Sequence, residues 1–202
     1  NWSTSNQGGL AYTGRVELYP FGRFKSLGDI AEGDFEREER VKVLLAGAYS
    51  FNNKTNRLQG QNGEYIPNNE LRDLNSYFVD FILKYNGFAF YTDFMGRQCN
   101  EPLFTSDPET CIYTGNGLNV QASYLFPKNW EIAVRNSTLF PEEKVQKIVG
   151  YENYNQTTLA VTRYLIGHSL KIQADASYNH QLNPVDPTYS RWQFRFQVEL
   201  GL

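Results

Sequence analysis

Long apolar runs are missing from this chain: nowhere do about eighteen apolar residues follow one another, which excludes a transmembrane helix. A transmembrane β-barrel is untouched by that absence, because its strands alternate apolar and polar residues. Histidine is nearly absent, with only His168 and His180. No Gly-rich loop follows a strand pattern, no residues have zinc-ligand spacing and no nucleophile motif occurs, so no catalytic residue, metal ligand or cofactor is assigned and the chain is read as a non-enzyme. His180 with Asp186 is the one arrangement resembling an acid-base pair, and both read as ordinary loop residues. A net charge of -3 argues against bulk attraction to nucleic acid. The first residues, Asn1 to Asn6, have neither the basic start nor the apolar run of a signal peptide, so either a leader has been removed or the chain begins partway through something longer. Cysteine is limited to Cys99 and Cys111, which flank a Pro- and Asp-containing stretch. A loop-closing disulfide in an oxidising compartment is favoured over two free thiols.

Against these absences stands an aromatic load of fourteen Tyr, fourteen Phe and three Trp, 15% of the chain, at a mean hydropathy of only -0.53. Such residues suit membrane-interface girdles as well as ordinary cores. The final stretch shows how they are arranged: Trp192, Phe194, Phe196, Val198, Leu200 and Leu202 alternate with Gln193, Arg195, Gln197 and Glu199. Since a strand turns successive side chains to opposite faces, one face is greasy and the other polar. The same pattern recurs near residues 10–19, 41–51, 77–85, 88–97, 118–126, 130–137, 159–166 and 170–178, giving about nine strands. Phe78 and Ile82 break it by falling on the polar face, and Arg163 by falling on the greasy one.

The connections alternate in length. Asn86-Gly87, Pro127 to Asn129 and Gly167-His168 are tight turns, while 52–71, 98–116, 139–154 and 180–188 are long loops. Residues 21–40, with the acidic run Glu32 to Glu39, form a long polar connection read as a solvated loop. In an up-and-down barrel every second connection shares a rim, so the short turns belong to a periplasmic end and the long loops to an extracellular one, with 21–40 as a long periplasmic connection. Residues 1–202 are therefore expected to form a single all-β domain, a transmembrane antiparallel up-and-down β-barrel of the bacterial outer membrane or the C-terminal half of one. A soluble sandwich or lipocalin-like barrel would hide its bulky side chains inside and lack this two-rim sorting.

On that reading Arg15, Lys42, Lys84, Arg97, Arg135, Lys171, Arg191 and Arg195 point into the lumen with Glu17, Asp80, Asp93, Glu131, Asp175 and Glu199. Eight cations against six anions suggest a pore with a mild preference for small anions, because a low-dielectric wall strengthens each charge. The bland alternative is a cross-strand ladder of ion pairs that only satisfies the wall. A non-conducting barrel that binds other outer-membrane proteins through its loops is the competing function.

Gly14-Arg-Val-Glu-Leu-Tyr-Pro-Phe-Gly-Arg-Phe24, Glu32 to Glu39, Tyr113 to Phe126, Trp130-Glu-Ile-Ala133 and the closing Trp192 to Leu202 together resemble the phosphate-selective porins of Gram-negative outer membranes. The resemblance extends over essentially the whole chain and corresponds to the C-terminal part of such a barrel, which has about 16 strands. It implies a trimer embedded in outer-membrane lipid, conducting anions such as phosphate by passive diffusion.

Overall fold

In the computed structural model, which describes residues 9–26, 33–166, 169–183 and 189–201, nine strands hydrogen-bond in chain order as one antiparallel up-and-down sheet. They are β1 (Ala11–Leu18), β2 (Lys42–Thr55), β3 (Arg72–Tyr85), β4 (Phe88–Cys99), β5 (Gly115–Phe126), β6 (Trp130–Pro141), β7 (Asn153–Ile166), β8 (Leu170–Leu182) and β9 (Tyr189–Leu200). The pairings give an open sheet: β1 pairs only with β2 and β9 only with β8 among the described residues.

Local chemistry explains the turns. Asn86 and Gly87 both have positive φ, 47° and 87°, the pairing a type I′ hairpin requires and the one matched to the twist of the flanking strands. At the next turn on that rim Lys128 and Asn129 take φ of 70° and 61° between the paired residues Phe126 and Trp130. The turn at Gly167-His168 lies outside the described residues.

Most strands outrun the sequence pattern at the long-loop end. β2 continues to Thr55 and β7 starts at Asn153, inside stretches expected to be loop, and β3 starts at Arg72, just past the expected loop and ahead of the alternation that begins at Tyr77. Their ends are polar on both faces, as in Asn52-Asn-Lys54 and Asn153 to Thr158, so alternation vanishes while the backbone ladder goes on. The expected loops accordingly shrink to 56–71, 100–114, 142–152 and 183–188. Within the third, a short helix α1 (Glu143–Val149) buries Val145 completely and ends at Gly150, whose φ of 85° closes a C-cap bond to the Gln146 carbonyl at 2.8 Å.

The burial of the two faces is reversed from that of a soluble protein. The apolar parity lies outward: Val134, Leu159, Trp192, Phe194 and Phe196 are exposed, Phe194 to 75%. The polar parity is the buried one, with Lys84, Gln121, Glu131, Thr158, Asp175 and Ser177 all under 10% exposed. Outward aromatics concentrate toward the two ends, Tyr85, Phe88, Tyr124, Phe126 and Trp130 at the short-turn rim and Tyr12, Tyr49, Tyr77, Tyr178 and Trp192 toward the other. Arg163, the cation on the greasy parity, stacks its guanidinium over Trp130 at 5.3 Å, inside that first group. Tyr77 lies across Gly96, where a Cβ would collide with its ring, and its hydroxyl donates to Asn116 Oδ1 at 2.9 Å. Glycine at position 96 is therefore set by a cross-strand aromatic neighbour.

The described part of the acidic connection between β1 and β2 is not wholly solvated, as a free loop would be. Asp34 and Glu38 are 1% and 2% exposed, and Phe24 joins Leu44, Ala46 and Ile82 in an apolar cluster with Tyr19 and Tyr91 packed against it. The segment folds back onto the polar face at the short-turn rim, because backbone groups there offer it hydrogen bonds that a free loop would take from water. It also explains Ile82, whose position on the polar face is covered by this cluster.

A second apolar cluster lies under the long loops, where Ile66, Leu74, Cys99, Phe104 and Ile112 are buried together. Both cysteines are free thiols, so the expected disulfide between Cys99 and Cys111 is absent and this cluster ties the loop down instead. Burial pushes the Cys111 thiol above its ordinary range, which keeps it protonated and a poor nucleophile.

Candidate functional site

Register decides which side chains share a face. Pairing of Lys42 with Lys84, Asp80 with Asp93, Gln121 with Arg135, Lys171 with Glu199, Asp175 with Arg195 and Asn179 with Arg191 puts all fourteen charged residues expected on the polar parity on one side of the sheet. Their environments differ along that face.

The ladder is realised at three places. Arg15 bridges Glu17 at 2.8 Å and Asp80 at 2.5 Å, Lys171 meets Glu199 at 3.0 Å, and Arg195 Nε meets Asp175 at 3.0 Å. Carboxylates without a cation use neutral donors. Asp93 accepts from Asn119 Nδ2 at 3.2 Å, and Glu131 accepts from the Tyr164 hydroxyl at 2.5 Å. Arg135 donates to Gln121 Oε1 at 2.6 Å.

Two lysines expected in the lumen hold the folded-back connection. Lys42 Nζ donates to the Phe21 carbonyl at 2.8 Å, and Lys84 Nζ, 1% exposed, donates to the Gly33 carbonyl at 2.7 Å with the Phe24 ring beneath it. Lys84 is thus sealed under the connection rather than facing open space, a correction to its expected role.

Asp34 is the hub of that contact. Its carboxylate accepts from the Gly87 N–H at 2.7 Å and from the Glu38 N–H at 3.1 Å, and its carbonyl accepts from the Arg37 N–H in a turn. Arg37 donates to the Leu125 carbonyl at 2.5 Å, and the Asn86 N–H donates to the Glu38 carbonyl at 2.9 Å. Gly33 lies so close to Glu131 that a Cβ there would collide with the carboxylate, and Phe35 packs edge-on against Tyr164 at 5.2 Å. The sequence reading missed Gly33, Asp34, Glu38 and Tyr164. The only signal was the break in period after Phe21, which says where regular structure stops and not where the chain goes.

Beside the connection lies a polar hollow of about 340 Å³, lined by Gly33, Gln121, Glu131, Arg135, Lys171 and Asp175 among others. It contains charges of both signs. The described part of the connection carries Arg23, Lys25, Arg37 and Arg40 against Asp34, Glu36, Glu38 and Glu39, so it leaves the strand excess of eight cations over six anions unchanged.

Arg97 and Arg191 have no carboxylate partner among the described residues. Arg191 stands on the exposed edge strand with its guanidinium 6.0 Å from the Tyr189 ring. His180 donates to or accepts from Ser190 Oγ at 3.0 Å on the outward parity, while Asp186 and His168 lie outside the described residues. Among the described residues no group of His, Cys, Asp and Glu has the arrangement of a metal site. Compared with protein-family models, curated proteins and solved structures, the chain matches none.

Proposed function

We propose that this chain is wall of an outer-membrane β-barrel whose polar face borders an aqueous passage, and that the protein is a porin-type channel for passive diffusion of small polar solutes. The observation that carries the reading is the reversal of the faces: bulky apolar side chains outward on all nine strands, charged and amide side chains inward. An apolar exterior of that extent has no stable place in water, whereas lipid is its natural solvent. Strands of 12 to 14 residues from β2 to β9 exceed the roughly 9 to 11 needed to cross tilted, leaving their polar ends beyond the apolar band. The resemblance to phosphate-selective porins supports the same class and adds small anions, phosphate among them, as solutes and a trimer as the assembly. The strand excess is only eight cations over six anions, and Arg15, Lys171 and Arg195 are paired with carboxylates, so we expect a reversal potential in a salt gradient that departs only slightly from zero, toward anions.

The test is single-channel recording of the protein in planar bilayers. Discrete ion current is expected; a correctly folded preparation that never conducts would refute the channel. The folded-back connection favours one competing reading, a non-conducting barrel that presents its long loops to other outer-membrane proteins. Silence in the bilayer is the result that reading requires.

A further inference from the structure

The polar face is interrupted by apolar side chains around Ile82, around Leu74 with Cys99 under the long loops, and around Phe78, and among the described residues no apolar cluster covers the last of these. Around Ile82 the connection supplies Phe24 and Tyr19. Further toward the long loops, Phe78 pairs in register with Met95, and Met95 with Gly117, which in turn faces Leu139. No described residue of the connection lines this hollow, and Met95 remains 42% exposed. A Cβ on Gly117 would stand 3.1 Å from Met95 Cγ and 3.2 Å from Leu139 Cδ2, so these two side chains close over the glycine and floor a small hollow of about 190 Å³.

Arg97 lies at the side of this hollow. Its cross-strand neighbours are Ser76 on β3 and Gly115 on β5, neither of which carries a charge, and Gly115 has no side chain to screen it. Every other strand cation of this face except Arg191 is tied to a carboxylate, a carbonyl or an amide. Arg97 thus sets a half-exposed guanidinium fork, open to an incoming acceptor, beside an apolar floor. Guanidinium forks pair bidentately with planar carboxylates, and an apolar floor rejects a fully hydrated ion. Inorganic phosphate would satisfy the fork and leave the floor wet, whereas a carboxylate on a ring or branched chain would satisfy both. The size is below that of drug-sized pockets, which matches a ligand with one ring.

We propose that the hollow between Phe78, Met95, Gly117 and Leu139 is a binding site for a small amphipathic monocarboxylate, anchored by Arg97. The proposal rests on the reading that this face borders water rather than protein.

The protein in phosphatidylcholine nanodiscs, titrated calorimetrically with benzoate and separately with inorganic phosphate, tests it without any ion current. Saturable benzoate binding, tighter than that of phosphate, is expected. Arg97→Gln should raise the benzoate dissociation constant roughly tenfold or more, the loss typical of a hydrogen bond to a charged group. Gly117→Val, which fills the floor and keeps the charge, should abolish benzoate binding while far-UV circular dichroism reports an unchanged sheet; if it misfolds, Arg97→Gln alone decides. No saturation in the wild type, equal binding by Arg97→Gln, or phosphate binding tighter than benzoate would each overturn the site. Binding without conductance would defeat the channel and leave this site standing; conductance without binding would do the reverse.

Discussion

Replacing Asp34 by alanine should release the β1–β2 connection without unfolding the sheet. The carboxylate is 1% exposed and serves two buried backbone donors, the Gly87 N–H at 2.7 Å and the Glu38 N–H at 3.1 Å. Leaving a buried donor unsatisfied costs about 1–3 kcal/mol. The Gly87 bond is short and sits at the upper part of that range, while the longer Glu38 bond sits near the bottom, so their loss together is about 2–4 kcal/mol. At about 1.4 kcal/mol per factor of ten, this is a loss of roughly 30- to 1000-fold in hydrogen-exchange protection for the Gly87 and Glu38 amides. Amides in the middle of β5 to β8 should keep their protection, because Asp34 contributes nothing to those ladders. Asp34→Asn, which retains a carbonyl acceptor, should lose much less. In single-channel recordings Asp34→Ala should raise conductance, since the segment beside the polar hollow swings away from Gly33 and Glu131. Unchanged protection at Gly87 and Glu38 would refute the account of how the connection is held, and unchanged conductance with lost protection would show that it does not obstruct the passage.

Val134→Arg places a charge on the outward apolar face and should cost about 2–4 kcal/mol of folding free energy in urea titrations into lipid vesicles if it lies near the midplane; no loss there would argue that this face does not meet lipid. Glu70 accepts from Ser106 Oγ and Arg72 Nη2, both at 2.7 Å, and these bonds, Ser106 foremost, hold its carboxyl below the usual 4.5. A depressed folded value stabilises above 4.5 and is lost as pH falls through the folded value, so proteolytic nicking of the 100–114 loop should rise in acid below that point, and Glu70→Gln should flatten the dependence. Iodoacetamide added to unfolded protein without reductant should label both Cys99 and Cys111, as two free thiols require; a mass with no adduct would restore the disulfide.

Much of this architecture was legible because a strand has a period of two, and a two-letter pattern survives without knowledge of neighbours. The alternation in Trp192 to Leu200 announced both faces of β9, and Asn86-Gly87 announced a hairpin that needs two left-handed residues. Where both faces turn polar, as at Asn52 to Lys54 and Asn153 to Thr158, the period disappears although the ladder does not, and the strand ends were placed short. The disulfide expectation came from spacing, while the loop is held by burial of Ile112 and Phe104 against Cys99, a contact that spacing does not encode.

By itself the sequence determined the number of strands, their order of alternation and the set of charges on one face, since each follows from neighbours two residues apart. Only the tertiary structure decided which of those charges still face open space. Lys84 is sealed by Gly33, Arg15 and Arg195 are paired, and Arg97 is left beside an apolar hollow. These outcomes depend on contacts between residues tens of positions apart, Asp34 with Gly87 and Arg37 with Leu125 among them. An irregular segment has no period to announce its path, and it settles where backbone donors and acceptors would otherwise be buried without partners.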